Sequence, residues 1–304
     1  MNAKSIICTG SESRFLPICL CLLRSIRDQQ QTDIDIGVLD LGLQPEESAQ
    51  LSPFGPTIVK PGWDIDFERP AAGSGSITTG NKQIGEGFKA MVSRPFLRDH
   101  FPGYETYIWI DADAWVQNWW AIEWLIEGAR RGDLNIAPEM DRSYKHSFNF
   151  REYVRWTFEQ HATLFGEKSA KRVAYNPTLN CGVFSMPANH PAWSLWADAM
   201  RTALSRKVDF FVDQLALNHV VYSTEPPRCL LPSQFNWLAN MAMPAFDPVT
   251  RDFVEPAIPH RPIGILHLSG NTKSAPREVR VIGHEKPWKT WLVYDQKRKE
   301  NGIS

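Results

Sequence analysis

The chain of 304 residues predicts an α/β fold in which helices flank a Rossmann-like, mostly parallel sheet. Strand-like apolar runs alternate with segments of helical periodicity from residue 6 onward, and no repeat or low-complexity linker interrupts the chain. We therefore expect a single domain over residues 1–304. It divides into a first half at 1–120, a second half at 121–280 and a basic, aromatic tail at 281–304.

The first elements follow from the spacing of apolar residues. Residues 6–9 predict a strand, and apolar side chains recur at helical spacing over residues 15–27. Residues 34–39 predict a second strand, and Pro45 stands near the start of a short helix. Strand, helix, strand, helix implies parallel strands, and such sheets bind ligands beyond the carboxyl ends of their strands.

Composition and charge exclude several classes of protein. A formal net charge of −1 gives no electrostatic reason to expect a nucleic-acid partner. Five cysteines without a CxxC pair predict neither a disulfide framework nor a zinc site, which favours a reducing compartment. No apolar run reaches the roughly 18 residues that span a bilayer, and no signal segment precedes the first strand. We expect a cytoplasmic protein, either soluble or peripheral at the inner face of the cytoplasmic membrane.

Two carboxylates follow an apolar run in the segment Tyr107-Ile-Trp-Ile-Asp111-Ala-Asp113. In an extended segment, side chains at i and i+2 point to the same side. Paired oxygen ligands at a strand end suit a divalent cation, and such a cation suits a phosphate-bearing substrate. The alternative is a turn after a strand that contains two aspartates by chance. The choice between a metal site and such a turn depends on the other polar segments of the chain.

Three further polar segments each lie beside an apolar run. In Asn180-Cys-Gly182 the glycine permits close approach of a ligand to the backbone, although an ordinary strand start has the same pattern. Asp213-Gln214 suits sugar hydroxyls, or alternatively caps a helix. His267-Leu-Ser-Gly270-Asn-Thr-Lys273 offers an imidazole to a metal and an ammonium to a phosphate, although a lone histidine is more often structural.

The ordered set Asp-x-Asp, Asn-x-Gly, Asp-Gln and His-x-x-Gly-x-x-Lys resembles the retaining glycosyltransferases of family 8. The resemblance extends from Ile6 to about Lys273 and implies the GT-A fold with a helical and aromatic C-terminal elaboration. It implies a metal-dependent enzyme that moves a hexose, such as glucose or galactose, from a UDP-sugar to a hydroxyl acceptor. The implied acceptor is a glycan, a glycolipid or a protein.

The same resemblance implies roles for individual residues. Asp111, Asp113 and His267 are the expected ligands of a manganese or magnesium ion. Gln214 is expected to face the anomeric carbon of the donor, with Asp213 beside it. The expected donor-binding residues are Thr9, Gly10, Arg94, Asp111, Ala112, Asp113, Asp141, Asn180, Gly270 and Lys273.

Some of these assignments rest on less of the pattern than others. Glu139 and Asp141 both follow the strand-like residues 134–137, so either carboxylate could bind sugar hydroxyls, and Asp141 is the one we select. The run Thr9-Gly-Ser-Glu12 departs from the acidic or asparagine-bearing loop that reads uracil in the family, which leaves the base open. A Pro-Trp pair follows Lys286 instead of Lys273.

Two other classes of function compete with the transferase. A sugar-nucleotide nucleotidyltransferase also needs a divalent ion, but it requires a glycine-rich basic signature after the first strand, and residues 10–14 contain one glycine. A non-catalytic nucleotide-sugar-binding protein would not need the full set of metal and phosphate residues. Residues 286–299 mix aromatic and basic side chains, which predicts either contact with an anionic membrane or a terminal helix packed on the domain.

Overall fold

The computed structural model describes residues 4–68, 78–79, 82–83 and 85–300, with side chains described in 4–68 and 85–297. Strands and helices alternate over these residues. In chain order the strands are β1 (Ser5–Ser11), β2 (Asp35–Asp40), β3 (Thr57–Val59), β4 (Thr78–Thr79), β5 (Lys82–Gln83), β6 (Thr106–Ile110), β7 (Ala114–Val116), β8 (Leu134–Pro138), β9 (Leu179–Pro187), β10 (Arg228–Leu230), β11 (Trp237–Leu238), β12 (Ala245–Asp247), β13 (Asp252–Val254), β14 (Ile265–His267), β15 (Arg277–Val281) and β16 (Trp288–Thr290). The α-helices are α1 (Leu16–Gln29), α2 (Pro45–Ala49), α3 (Phe88–Ser93), α4 (Leu97–His100), α5 (Trp120–Arg130), α6 (Phe150–Phe165), α7 (Glu167–Val173), α8 (Ala192–Leu204), α9 (Val212–Thr224) and α10 (Tyr294–Glu300).

A seven-stranded sheet in the spatial order β10-β8-β9-β6-β1-β2-β3 forms the centre of the fold. β1 pairs in parallel with both β2 and β6, and β8 pairs in parallel with β10. β9 runs antiparallel to both of its neighbours, β6 and β8. The predicted mostly parallel sheet is therefore confirmed, and it takes strands from residues 1–120 and from residues 121–280.

Helices cover both faces of the sheet because its strands are apolar on both sides. Ile7 of β1 packs in one cluster with side chains of α1 and α5. Ile6 and Cys8 point the other way and pack with side chains of α8 and α9. All five residues of β6 are buried, as expected for a strand in the middle of such a sheet. Cys8, Cys19 and Cys21 are buried as well.

The helical segment before β6 is interrupted at Pro95, because proline has no backbone N–H to donate. α3 ends at Ser93, a 3₁₀ turn spans Arg94–Phe96, and α4 continues to His100. Pro95 is the middle residue of that turn. This turn places Arg94 at the inner end of α3, where it is 7 % exposed.

The C-terminal tail packs on the domain. Tyr294 is buried and donates from its hydroxyl to Asp28, and the ammonium of Lys297 donates to Asp252 (2.7 Å) and to Gln117 (2.9 Å). The alternative of a terminal helix packed on the domain therefore describes α10, while membrane contact stays a prediction. Over the residues with described structure, no helix is both long enough and apolar enough to cross a membrane.

His161 on α6 makes the stability of this fold depend on pH. The side chain is fully buried, and neither ring nitrogen has a hydrogen-bond partner within residues 4–68 and 85–297. Burial lowers the pKa of His161 to about 3. As the pH falls below about 6.5, His161 binds a proton in the unfolded chain but stays neutral in the folded protein. The free energy of unfolding therefore decreases. We expect a loss of about 2 kcal/mol from this residue between pH 6.5 and pH 5.

Urea unfolding at several pH values checks this expectation. His161→Leu should flatten the decline, while His284→Leu, at an exposed position, should keep the wild-type profile. An unchanged decline in His161→Leu would contradict the expectation.

Candidate functional site

A cavity of about 1,070 Å³ opens beside the carboxyl ends of β1 and β6. This volume is at the upper end of the range for small-molecule sites. Its lining includes every predicted site residue except Thr9 and Asp141. The predicted residues that line it are Gly10, Arg94, Asp111, Ala112, Asp113, Asn180, Asp213, Gln214, His267, Gly270 and Lys273.

The aspartate pair lies in a turn between β6 and β7. The amide of Ala114 donates to the carbonyl of Asp111 (2.9 Å), so the predicted extended geometry of the pair is wrong. The pairing of β14 with β7 places His267 opposite Ala114, and Leu268 donates to the carbonyl of Asp113 (2.8 Å). As a result, Nε2 of His267 lies 3.2 Å from the Asp113 carboxylate and 3.9 Å from that of Asp111.

These three side chains fit a divalent cation. Asp111, Asp113 and His267 each offer one ligand atom, and the three atoms lie within 4.8 Å of one another. Two carboxylate oxygens and one imidazole nitrogen suit Mn²⁺, and the oxygen ligands suit Mg²⁺. The other ring nitrogen of His267, Nδ1, lies 2.9 Å from Oδ1 of Asn236, so Nε2 is the nitrogen that faces the carboxylates.

Lys273 provides a positive charge at the same place. Its ammonium donates to the carboxylate of Asp113, after a turn in which Gly270 adopts a φ of 65°. Burial alone would raise the pKa of Asp113, but His267 and Lys273 outweigh it and hold that pKa below its usual range. Burial also lowers the pKa of His267, but Asp113 and Asp111 outweigh it, and the pKa is raised. The turn after β14 therefore supplies both a nitrogen ligand and a cation.

Arg94 is a buried cation in the wall of the cavity. Its guanidinium donates to the carboxylates of both Asp111 and Asp213, and it lies 4.9 Å from the ring centre of Trp109. Burial opposes the charge, but the two carboxylates outweigh it and raise the pKa of Arg94. The ion pair with Arg94 therefore holds Asp213 in the wall. At Asp111, burial outweighs the effect of Arg94, and the pKa of that carboxyl is raised.

A carboxylate and two amides form the wall beside Asp213. Glu139 accepts from Nδ2 of Asn180 (2.7 Å) and from Nε2 of Gln214 (3.1 Å). Asn180 also lies 3.3 Å from the side-chain oxygen of Gln214. Because a carboxylate only accepts, it fixes both amides with their nitrogens toward it. The geometry therefore favours Glu139 over Asp141 as the carboxylate of this wall.

Two predicted donor-binding residues lie outside the cavity lining. The carboxylate of Asp141 accepts from the amide of Ser143 (2.8 Å) and from the hydroxyl of Ser233, so it stabilises its own loop. Thr9 is buried inside β1, because the strand continues past the predicted end, and the lining begins at Gly10. Neither side chain is therefore part of the cavity lining, and a role for either in donor binding stays a prediction.

Three side chains that follow β1 directly also line the cavity, and they were not among the predicted site residues. These are Glu12, Arg14 and Phe15. Arg14 donates to Glu12, and the ammonium of Lys273 lies 5.3 Å from the ring centre of Phe15. Only their position in the sequence could have indicated a role at the site, because the loop after the first strand of a parallel sheet commonly contacts the ligand.

Gly182 permits the close approach on which the site is built. Its carbonyl accepts from the amide of Asp111 (2.8 Å). A Cβ at this position would lie 2.5 Å from Cε1 of His267 and 2.8 Å from both Oδ2 of Asp111 and Oδ1 of Asn180. Only glycine fits there without displacing these side chains.

The sequence matches no protein-family profile and no curated protein. Solved structures do resemble it. An active-site mutant of LgtC, with glutamine changed to glutamate, has a TM-score of 0.52 at 14% identity, and the match covers 87% of both chains. The galactosyltransferase LgtC with donor and acceptor sugar analogs has a TM-score of 0.51 at 15% identity, covering 88% of both.

A further similar structure is the apo form of mouse xyloside xylosyltransferase 1. It has a TM-score of 0.50 at 13% identity, and the match covers 88% of this chain and 98% of that one. At these identities the likeness establishes the fold, and the matches extend over nearly the whole chain. The protein therefore has the GT-A glycosyltransferase fold that the sequence predicted.

Proposed function

We propose that this protein is a metal-dependent glycosyltransferase of the family 8 type, which moves a hexose from a UDP-sugar to a hydroxyl acceptor. One observation carries the proposal: a single cavity joins a metal-ligand set, a phosphate-binding cation and a polar wall suited to sugar hydroxyls. The ligand set is Asp111, Asp113 and His267, and the cation is Lys273. The structures that resemble this chain belong to glycosyltransferases, which supports this assignment.

Asp111, Asp113 and His267 would hold Mn²⁺ or Mg²⁺, which supplies charge neutralisation at the leaving diphosphate when bound. Lys273 would contact the same diphosphate as a point charge, next to the turn at Gly270. Stabilising the charge of the leaving phosphate in this way makes a strong general acid unnecessary.

Gln214 is the residue we place at the donor sugar. Its amide is fixed by Glu139 and Asn180 and lines the cavity next to Asp213. A neutral amide is a weak nucleophile, so Gln214 would support an oxocarbenium-like centre electrostatically. The acceptor hydroxyl would then attack from the face of the departing phosphate and give its proton to that phosphate, with retention of configuration. Asp213 would position this wall through its ion pair with Arg94.

One neighbour, LgtC, seen in two structures, supports the choice of a hexose donor and a sugar acceptor. LgtC is a galactosyltransferase solved with donor and acceptor sugar analogs, and its glutamine-to-glutamate variant is an active-site mutant. Gln214 offers a cavity-lining glutamine in this chain. A peripheral membrane position, with the tail toward anionic lipid, is compatible with a glycolipid acceptor and stays part of the proposal.

Metal-dependent stabilisation by a UDP-sugar is the first test. We expect UDP-glucose or UDP-galactose to raise the melting temperature in the presence of Mn²⁺ and much less after chelation, because the cation joins the diphosphate to its ligands. Thermal shift against a panel of UDP- and GDP-sugars measures this effect. No response to any nucleotide sugar would contradict the transferase and the nucleotidyltransferase alike.

Substitutions in the metal set and the sugar wall should separate two roles. Asp113→Ala should reduce the release of UDP from the sugar donor by about 100-fold or more, with a weakened response to Mn²⁺. Gln214→Ala should reduce the rate by about 10- to 1,000-fold while the response to Mn²⁺ persists. Asp198→Ala and Gln50→Ala, at exposed sites, are matched controls. Full activity in Gln214→Ala would remove this residue from the mechanism.

The close approach at Gly182 predicts the effect of a single methyl group. Gly182→Ala should weaken Mn²⁺ binding at least 10-fold, because the added carbon displaces His267 or Asp111. Isothermal titration calorimetry of the purified protein measures the affinity. Gly62→Ala, where a Cβ would meet nothing within 4 Å, should bind as the wild type does. Equal affinity in both variants would show that the metal is held elsewhere.

A further inference from the structure

We propose that Asn236 is a positioning residue for the metal site, and this inference rests on the metal set of the proposed function. Its side-chain oxygen holds Nδ1 of His267 as a hydrogen-bond donor, which leaves the lone pair of Nε2 for the cation. Its side-chain nitrogen ties that orientation to Asn180 and, through it, to Glu139. The metal ligand and the sugar-side wall would therefore be set by one chain of hydrogen bonds.

Two contacts of Asn180 determine which groups donate and which accept in this series of hydrogen bonds. The backbone amide of Gly182 donates to one side-chain atom of Asn180 (2.9 Å), so that atom must be the oxygen. The other side-chain atom of Asn180 lies 2.7 Å from the carboxylate of Glu139, which only accepts, so that atom must be the nitrogen. Both constraints agree, and they determine the orientation of the Asn180 amide.

The orientation of Asn180 determines the orientation of Asn236, and through it that of the His267 imidazole. Asn236 approaches the oxygen of Asn180 at 2.8 Å, so it must present its nitrogen there. Its oxygen is then left for Nδ1 of His267 at 2.9 Å, and that nitrogen must carry a hydrogen. Nε2 faces Asp113 at 3.2 Å and is the nitrogen available to a cation.

The backbone holds Asn236 rigidly beside His267. Asn236 is 2 % exposed and directly precedes β11, which pairs with β14 so that Leu238 stands opposite His267. The amide of Ala239 also donates to the carbonyl of His267 (3.0 Å). The hydroxyl of Tyr144 accepts from the amide of Leu238 (2.9 Å). The contact between the two side chains is thus set by strand pairing.

Removal of such a partner typically lowers metal affinity by 10- to 100-fold, because the imidazole loses its fixed tautomer and ring orientation. We expect Asn236→Ala to weaken Mn²⁺ binding by about this factor. Asn236→Ser, which is too short to bridge, should show the same loss with a smaller effect on packing. Asn236→Asp keeps an acceptor for Nδ1 and should bind Mn²⁺ as tightly as the wild type or more tightly.

Asn135→Ala is the matched control. Asn135 is a buried asparagine on β8 whose amide donates to the carbonyl of Asp133 (3.0 Å) and to Ser185 (3.1 Å). Its loss should lower the free energy of unfolding without changing the affinity for Mn²⁺. Both quantities are measured on the full chain, by electron paramagnetic resonance of free Mn²⁺ during titration and by urea unfolding, without any nucleotide.

Weaker binding in Asn236→Ala and Asn236→Ser, with retention in Asn236→Asp, supports the proposal. Wild-type affinity in the truncated variants would overturn it, as would an equal loss in Asn236→Asp. A wild-type protein that does not bind Mn²⁺ would overturn it as well. These outcomes are independent of transfer: a protein that binds Mn²⁺ in this pattern but releases no UDP refutes the transferase and leaves the role of Asn236 standing.

Discussion

The site depends on one strand that runs against the rest of the sheet. β9 enters between β6 and β8 in the antiparallel direction, so its first residues meet the carboxyl end of β6. The amide of Asp111 donates to the carbonyl of Gly182, and this bond joins the end of one strand to the start of the other. Without that pairing, Asn180 and the carboxylates of Asp111 and Asp113 would belong to different parts of the molecule.

Charge is the second constraint on this arrangement. Four carboxylates, Glu12, Asp111, Asp113 and Asp213, line one cavity, and burial of charge is unfavourable unless partners compensate it. Arg94 pairs with Asp111 and Asp213, and Lys273 pairs with Asp113. Such a network is a poor source of stability compared with apolar packing of the same volume. In the proposed function, the same network binds a cation and a diphosphate.

The sequence was informative wherever chemistry and periodicity coincide. The mostly parallel sheet follows from apolar spacing, which is a local pattern. The assembly of the aspartate pair with His267 and Lys273 in one cavity was implied by the resemblance of the ordered polar segments to the family 8 glycosyltransferases.

The remaining features depend on contacts between distant residues. Asn236 meets His267 only because β11 pairs with β14, and such short strands leave little periodicity to detect. Glu139 and Asp141 lie two residues apart, and only the three-dimensional positions of Asn180 and Ser233 separate their roles. Asp111 and Asp113 were expected in an extended segment, whereas the return of the chain into β7 requires a turn there.

In the proposed function, one cavity holds both a divalent cation and a nucleoside diphosphate. A crystal structure with Mn²⁺ and UDP, with anomalous differences collected at the manganese edge, would locate both ligands. We expect one manganese peak bonded to Asp111, Asp113 and His267, with the diphosphate between that ion and Lys273. A manganese peak away from these three side chains, or UDP bound outside this cavity, would contradict it.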